Sequence, residues 1–182
     1  MRGIATPQVL DSYHTERHAA GAHVLANTQA QVHLGEAGPG PLVDLLTRVA
    51  THPGGNRAFA ETITGLDTRY ETHPVGTHPW LGRLVPNLAL STSAGDTDVA
   101  TLLATGRWLL LDLSGKHDLR EVAVGWSDRV DIVDATCPDQ SELRAILLRP
   151  DGHTAWLSTA GPDGLHEALQ HWHGPANVAA AV

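Results

Sequence analysis

His14 and His18 stand four residues apart, with Glu16 and Arg17 between them, near the start of a 182-residue chain. On a helix that spacing puts both imidazoles on one face. Two imidazoles so placed hold a divalent metal when a further ligand arrives from elsewhere in the chain. Either could also move a proton, because imidazole titrates near neutral pH. A cofactor-free cyclase, isomerase or dehydratase needs little more than one such group beside a shaped apolar pocket. His14, Glu16, Arg17 and His18 are therefore the catalytic candidates, each with a competing use in fixing a helix against its neighbours. No further ligand stands out in the sequence, so no metal is expected.

The other reactive residues read as structural. His171 and His173 on a helix would diverge by about 200°, poor geometry for joint ligation. They are expected at a solvated helix end, where cationic imidazole suits the helix dipole. Asp67, Arg69 and Tyr70 suit an ion pair or a cap. The five tryptophans (Trp80, Trp108, Trp126, Trp156 and Trp172) accompany a single phenylalanine. Core or interface packing is their common use, although some could line an aromatic-binding surface. Cys137 is the only cysteine, so neither an intrachain disulfide nor a Cys-x-x-Cys redox pair can form. Followed by Pro138, it reads as an inert packed thiol.

A formal charge of −8, with 12 His against 12 Lys and Arg together, argues against a nucleic-acid partner, which needs a basic face. The most apolar run, Trp108–Leu111, is bounded by Arg107 and Asp112 and is far short of the roughly 18 residues of a membrane span. The N-terminus is not signal-like. These features predict a cytoplasmic protein with no membrane partner, of one domain or one domain plus a helical extension.

The elements that must position these residues follow from periodicity. Thr6-Pro7 opens a helix as cap and first helical residue. Leu10, Tyr13, Arg17, Ala20, Val24 and Thr28 recur at helical steps, giving a long helix over about 7–34 that ends at Gly35. Further helices are predicted over about 41–51 and about 56–65, parted by Pro53-Gly54-Gly55. Pro74, Pro79 and Pro86, with Gly76 and Gly82, mark an extended linker. Trp108–Leu111 and Val130–Val133 read as buried strands. Arg144–Arg149 and His153–Ser158 flank the hairpin turn Pro150-Asp151-Gly152, and Gly164–His173 closes as a helix. The predicted organisation is a helical extension (1–70), a linker (71–98) and a domain (99–175). Periodicity alone supports a small α/β or α+β domain; strand, connection, strand, hairpin and helix follow in the order of a thioredoxin-like layer.

Four stretches in order carry a family resemblance. They are Leu10–His18 with Asn27–Gln31, Ile63–Tyr70, His78–Leu88, and Leu147–Trp156 with its Arg149-Pro150-Asp151-Gly152-His153 core. The chain resembles the C-terminal region of the flavin-dependent aromatic hydroxylases that tailor bacterial aromatic polyketides. That resemblance implies an α/β fold: a thioredoxin-like sheet-and-helix domain, without redox activity, preceded by a helical extension. It also implies that Tyr13, Glu16 and Arg17 belong to a structural signature of the linker helix.

Family members hold FAD on an N-terminal Gly-x-Gly-x-x-Gly turn. The nearest pair here, Gly38 and Gly40, follows a helix, so FAD is expected to reach this chain through a partner and not to be bound by it alone. The expected partners are a flavoprotein monooxygenase or a second copy of the chain, with a polycyclic aromatic ligand. The expected role is an auxiliary subunit; the alternative is a flavin-free enzyme acting on a polycyclic polyketide intermediate. A third reading takes Met1 as an internal start within a longer hydroxylase.

Overall fold

The computed structural model describes residues 7–72, 74, 76–115 and 118–177. They form two compact units, one of Leu10–Thr68 and one that begins at Arg69. The expected cap, Thr6, lies outside the described residues, as do the side chain of Leu10 and the start at Met1.

The first unit is helical. α1 (Pro7–Ala37) runs through Gly35 and stops before Gly38, whose positive φ of 61° a helix cannot absorb. α2 (Pro41–Thr51) has proline in its first turn. α3 (Pro53–Thr64) begins three residues earlier than the sequence suggests. Pro53 is no break here, because a first helical residue has no N–H bond to lose. The His52 ring accepts from Gly54 N at 3.3 Å and caps the helix, and Gly65 ends it in the left-handed region at φ 75°. No described side chain from residue 11 to residue 71 is buried.

The second unit is a mixed sheet of six strands in the order β2-β1-β4-β3-β5-β6. β1 (Ala89–Thr92) and β2 (Gly95–Asp98) form a hairpin, and α4 (Val99–Leu103) follows. β3 (Trp108–Asp112) pairs in parallel with β4 (Val130–Thr136), and α5 (Asp118–Ala123) lies in the connection. β5 (Ala145–Leu148) pairs antiparallel with β3, β6 (Thr154–Ser158) pairs antiparallel with β5, and α6 (Leu165–His173) closes the unit. This is the expected α/β class, a thioredoxin-like layer after a helical extension.

Two-residue alternation sorts the core. Leu110, Ala145 and Leu147 pack on one face with Leu119 and Ala123 of α5 and Leu165, Ala168 and Leu169 of α6. Leu109, Leu111, Ile146 and Leu148 pack on the other with Val85, Leu88, Leu90 and Val99. Both faces are covered, so these strands read as continuous apolar runs.

Much of the stretch expected as an extended linker is part of this sheet. Leu81, Val85 and Leu88 are buried, and Leu81 and Leu84 pair with Thr154 and His153 beside β6. Residues 89–98 then form the β1–β2 hairpin, which joins the sheet through β4. The prolines mask this in the sequence, but an edge strap needs only some of its N–H groups, and proline is tolerated there.

Gly82 is the tightest point of that strap. Its φ is 74°, and its carbonyl accepts from Tyr70 N at 2.8 Å. A Cβ there would fall 2.0 Å from the Tyr70 carbonyl oxygen, whereas one at Gly95, φ 118°, meets open space. Gly82→Ala is expected to cost on the order of 2–4 kcal/mol and Gly95→Ala about 1 kcal/mol, read by urea denaturation. Equal losses would show that the Tyr70 contact is not tight.

Candidate functional site

α1 does place His14 and His18 on one face, with ring centroids 6.0 Å apart. Both are exposed, Glu16 is half-buried, and the Arg17 guanidinium lies 5.5 Å from the Tyr13 ring. Among the described residues no group of three or more His, Cys, Asp or Glu gathers as metal ligands would. The Arg17–Tyr13 stacking suits the structural use of this signature.

A different histidine of α1 meets polar partners. His23 Nε2 lies 3.2 Å from Asp67 Oδ2 and 3.1 Å from the Asn27 amide. Thr62 donates to the same Asp67 oxygen at 2.8 Å. Asp67 reads from sequence as a partner in an ion pair, but nothing local points to His23, 44 residues away. Asn27 and Thr62 also line a groove of about 450 Å³ between the three helices, whose other walls include Leu34, Leu42, Leu46 and Phe59. That volume lies in the range of small-molecule sites.

In the second unit the aromatic and charged residues form a clamp. The Arg149 guanidinium is 5.1 Å from the Tyr70 ring and 5.4 Å from the Trp172 ring, and it donates to Asp151 Oδ2 at 3.1 Å. His153 stacks on Tyr70 with ring centroids 4.6 Å apart and touches Asp151 through Nδ1 at 3.2 Å. Burial pushes the Asp151 carboxyl up, but His153 and Arg149 together outweigh it and hold the group at about 2. These contacts join segments 69–72, 149–153 and α6, so the quoted motif residues at Tyr70 and Arg149–His153 serve the fold.

His173 overturns the expectation of a solvated helix end. It is 6 % exposed, with its ring edge-on to Trp108 at 4.7 Å. Burial, reinforced by the Arg129 charge, pushes its imidazole down to about 4. The helix turns position 173 toward Trp108, so that of the pair His171 and His173 only His171 is exposed. Trp126, Trp156 and Trp172 are buried in the core, the packing use anticipated for them. Cys137 is buried too, and that burial raises its thiol.

A smaller cavity of about 260 Å³ is lined by Ser114, Arg144 and Thr159, beside the buried Asp112 that accepts from Ser114 N and Oγ. Gly38 and Gly40 lie between α1 and α2, not in a strand–turn–helix cradle. The described residues thus do not fit the dinucleotide-binding turn of flavoproteins.

Residues 78–176 match the family model described as aromatic-ring hydroxylase, C-terminal. The chain is 40% identical, over 95% of its length, to a 12-dehydrotetracycline 5-monooxygenase/anhydrotetracycline 6-monooxygenase of Streptomyces rimosus. It is 38% identical, over 97% of its length, to a dialkyldecalin synthase of Streptomyces rugosporus. It covers 36% and 34% of those two proteins, about a third of each. The crystal structure of CabE, an aromatic hydroxylase from angucycline biosynthesis, superposes with a TM-score of 0.86 at 43% identity. That match covers 96% of this chain and 37% of CabE.

The His173 environment sets a pH dependence. The unfolded chain protonates this imidazole near its ordinary 6.5, whereas the folded chain resists until about 4. The stabilisation is complete above 6.5 and is lost as pH falls through that window, by up to roughly 1.4 kcal/mol per pH unit. His173→Phe is expected to flatten that part of the stability–pH curve relative to the wild type. Superimposable curves would show that position 173 does not titrate as a buried neutral imidazole.

Proposed function

The chain belongs to the aromatic-ring hydroxylase family, and on that premise we propose that it acts in bacterial aromatic polyketide biosynthesis as the auxiliary part of a flavin monooxygenase. In this reading a separate flavin-holding body supplies FAD and the oxygen chemistry, and the helical unit docks against that body in the cytoplasm.

One observation carries the docking. Helices α1 to α3 bury no described side chain, yet Leu25, Val32, Leu45 and Val49 are 67%, 53%, 49% and 45% exposed. Ordering each residue costs about 1–2 kcal/mol of backbone entropy, which burial of apolar surface must offset. Such a unit needs a cover. A flavin-holding body is favoured over a second copy because the monooxygenase relative, nearly three times this length, includes a stretch matching these helices.

The runner-up reading, a flavin-free enzyme acting on a polycyclic polyketide intermediate, draws on the dialkyldecalin synthase relative, whose name is that of a ring-forming catalyst. In that case His14→Ala or His18→Ala would cut turnover by orders of magnitude.

Size-exclusion chromatography of the chain mixed with the FAD-loaded body of an aromatic polyketide hydroxylase, truncated before its matching region, tests the proposal. Co-elution with flavin absorbance is expected. Leu25→Asp and Val32→Asp should abolish it, while His14→Ala and His18→Ala leave it intact. Separate elution at micromolar concentrations, or a chain-only dimer that excludes the body, would overturn the docking role.

A further inference from the structure

We propose that the cavity walled by Ser114, Arg144 and Thr159 binds a small zwitterion of the amino-acid class, its ammonium held at Asp112 and its carboxylate at Arg144. The site lies wholly in the sheet unit and goes beyond the docking role given to the helices.

Asp112 is the starting point. It ends β3 and is 1 % exposed. Ser114 N at 2.9 Å and Ser114 Oγ at 2.6 Å both donate to its Oδ1. Its Oδ2 is buried and has no hydrogen-bond partner among the described residues. A buried carboxylate oxygen without a donor is costly, and a buried charge calls for a paired one.

The strand register sets this carboxylate beside the cavity. Asp112 pairs with Ala145 across the antiparallel β3–β5 ladder, and cross-strand partners point to one face of the sheet. Ala145 and Leu119, which pack together on that face, line the cavity, as does Ser114, to which Asp112 is bonded.

The opposite charge stands on the same cavity. Arg144 is exposed, and its described hydrogen bonds are those of its backbone, with Ser158 and Leu113. Among the described residues its guanidinium has no ion-pair partner, Asp112 included. Two unlike charges that share a cavity without meeting leave a gap for a ligand carrying both signs.

The walls argue against other occupants. A lone anion would meet the Asp112 carboxylate, and a lone cation the Arg144 guanidinium. A neutral polyol would leave the buried carboxylate uncompensated, and no aromatic ring is among the described walls to stack on a sugar. The cavity of about 260 Å³ falls below the ~300 Å³ at which drug-sized sites begin, which suits an occupant of a few heavy atoms. Thr159 adds a hydroxyl to the polar wall. Ser158 Oγ, accepting from Ala160 N and Gly161 N at 3.1 Å each, fixes the turn that carries it.

The test is isothermal titration calorimetry of the full chain with glycine, β-alanine and 4-aminobutanoate, which differ in the spacing of ammonium and carboxylate. Ethylamine, propionate and glycerol serve as single-charge and neutral controls. At least one amino acid is expected to bind saturably, roughly tenfold or more tighter than every control. Arg144→Gln, at an exposed position, and Asp112→Asn should each remove that preference. Ala160→Trp, also exposed, should fill the cavity and abolish binding. Circular dichroism checks that each variant is folded; should Asp112→Asn unfold the sheet, the two exposed variants decide. No saturable binding of any amino acid, binding no tighter than the controls, or binding untouched by Arg144→Gln or Ala160→Trp in folded protein would overturn the site.

Discussion

The second unit depends on the burial of β3 and β5 on both faces. Leu109, Leu110 and Leu111 and the run Ile146–Leu148 are each at most 1 % exposed. Fully burying such a side chain contributes about 2 kcal/mol, against about 0–1 kcal/mol for an exposed ion pair such as Arg120–Asp134. Apolar burial therefore decides the architecture, and the charged groups refine it. One face requires α5 and α6. The other requires the 81–88 strap, the β1–β2 hairpin and α4, and these extend the unit beyond a minimal four-stranded layer.

Backbone hydrogen bonds fix the register of the strap, whose Leu81, Val85 and Leu88 are buried. Gly82 N donates to Thr154 O at 2.9 Å and Val85 N to Gly152 O at 3.0 Å. Arg149, sandwiched between Tyr70 and Trp172, then ties the hairpin turn to α6 and to the first residues of the unit. Each cation–π contact contributes about 0.5–2 kcal/mol, enough to set register and orientation but not to drive folding. The quoted motif residues Tyr70 and Arg149 thus meet in one joint of the fold.

Much of the fold was legible in the sequence because its signals are local. Trp108–Leu111 announces a buried strand, Pro150-Asp151-Gly152 a hairpin, and the proline-to-glycine punctuation the helices. The 81–98 region was not legible: its partners are β4, β6 and the hairpin turn, and its prolines and short apolar spacing resemble a linker. His173 misled because a helix-end position says nothing about a tryptophan on β3. The His23–Asp67 pair was hidden for the same reason, since chain order does not reveal that the end of α3 returns to α1. The His14–His18 spacing was visible, but it marks a shared face, and the polar network formed at another turn of the helix.

The absence of a buried side chain among the described residues of α1 to α3 bears on how such proteins can be rearranged. The sheet unit carries its own interior, so it can be grafted onto a foreign enzyme as an intact cassette. The helical unit has no such interior among its described residues, and Leu25, Val32, Leu45 and Val49 remain exposed on it. Productive chimaeras should therefore be joined near Arg69, after the helices, so that the sheet is exchanged as one piece.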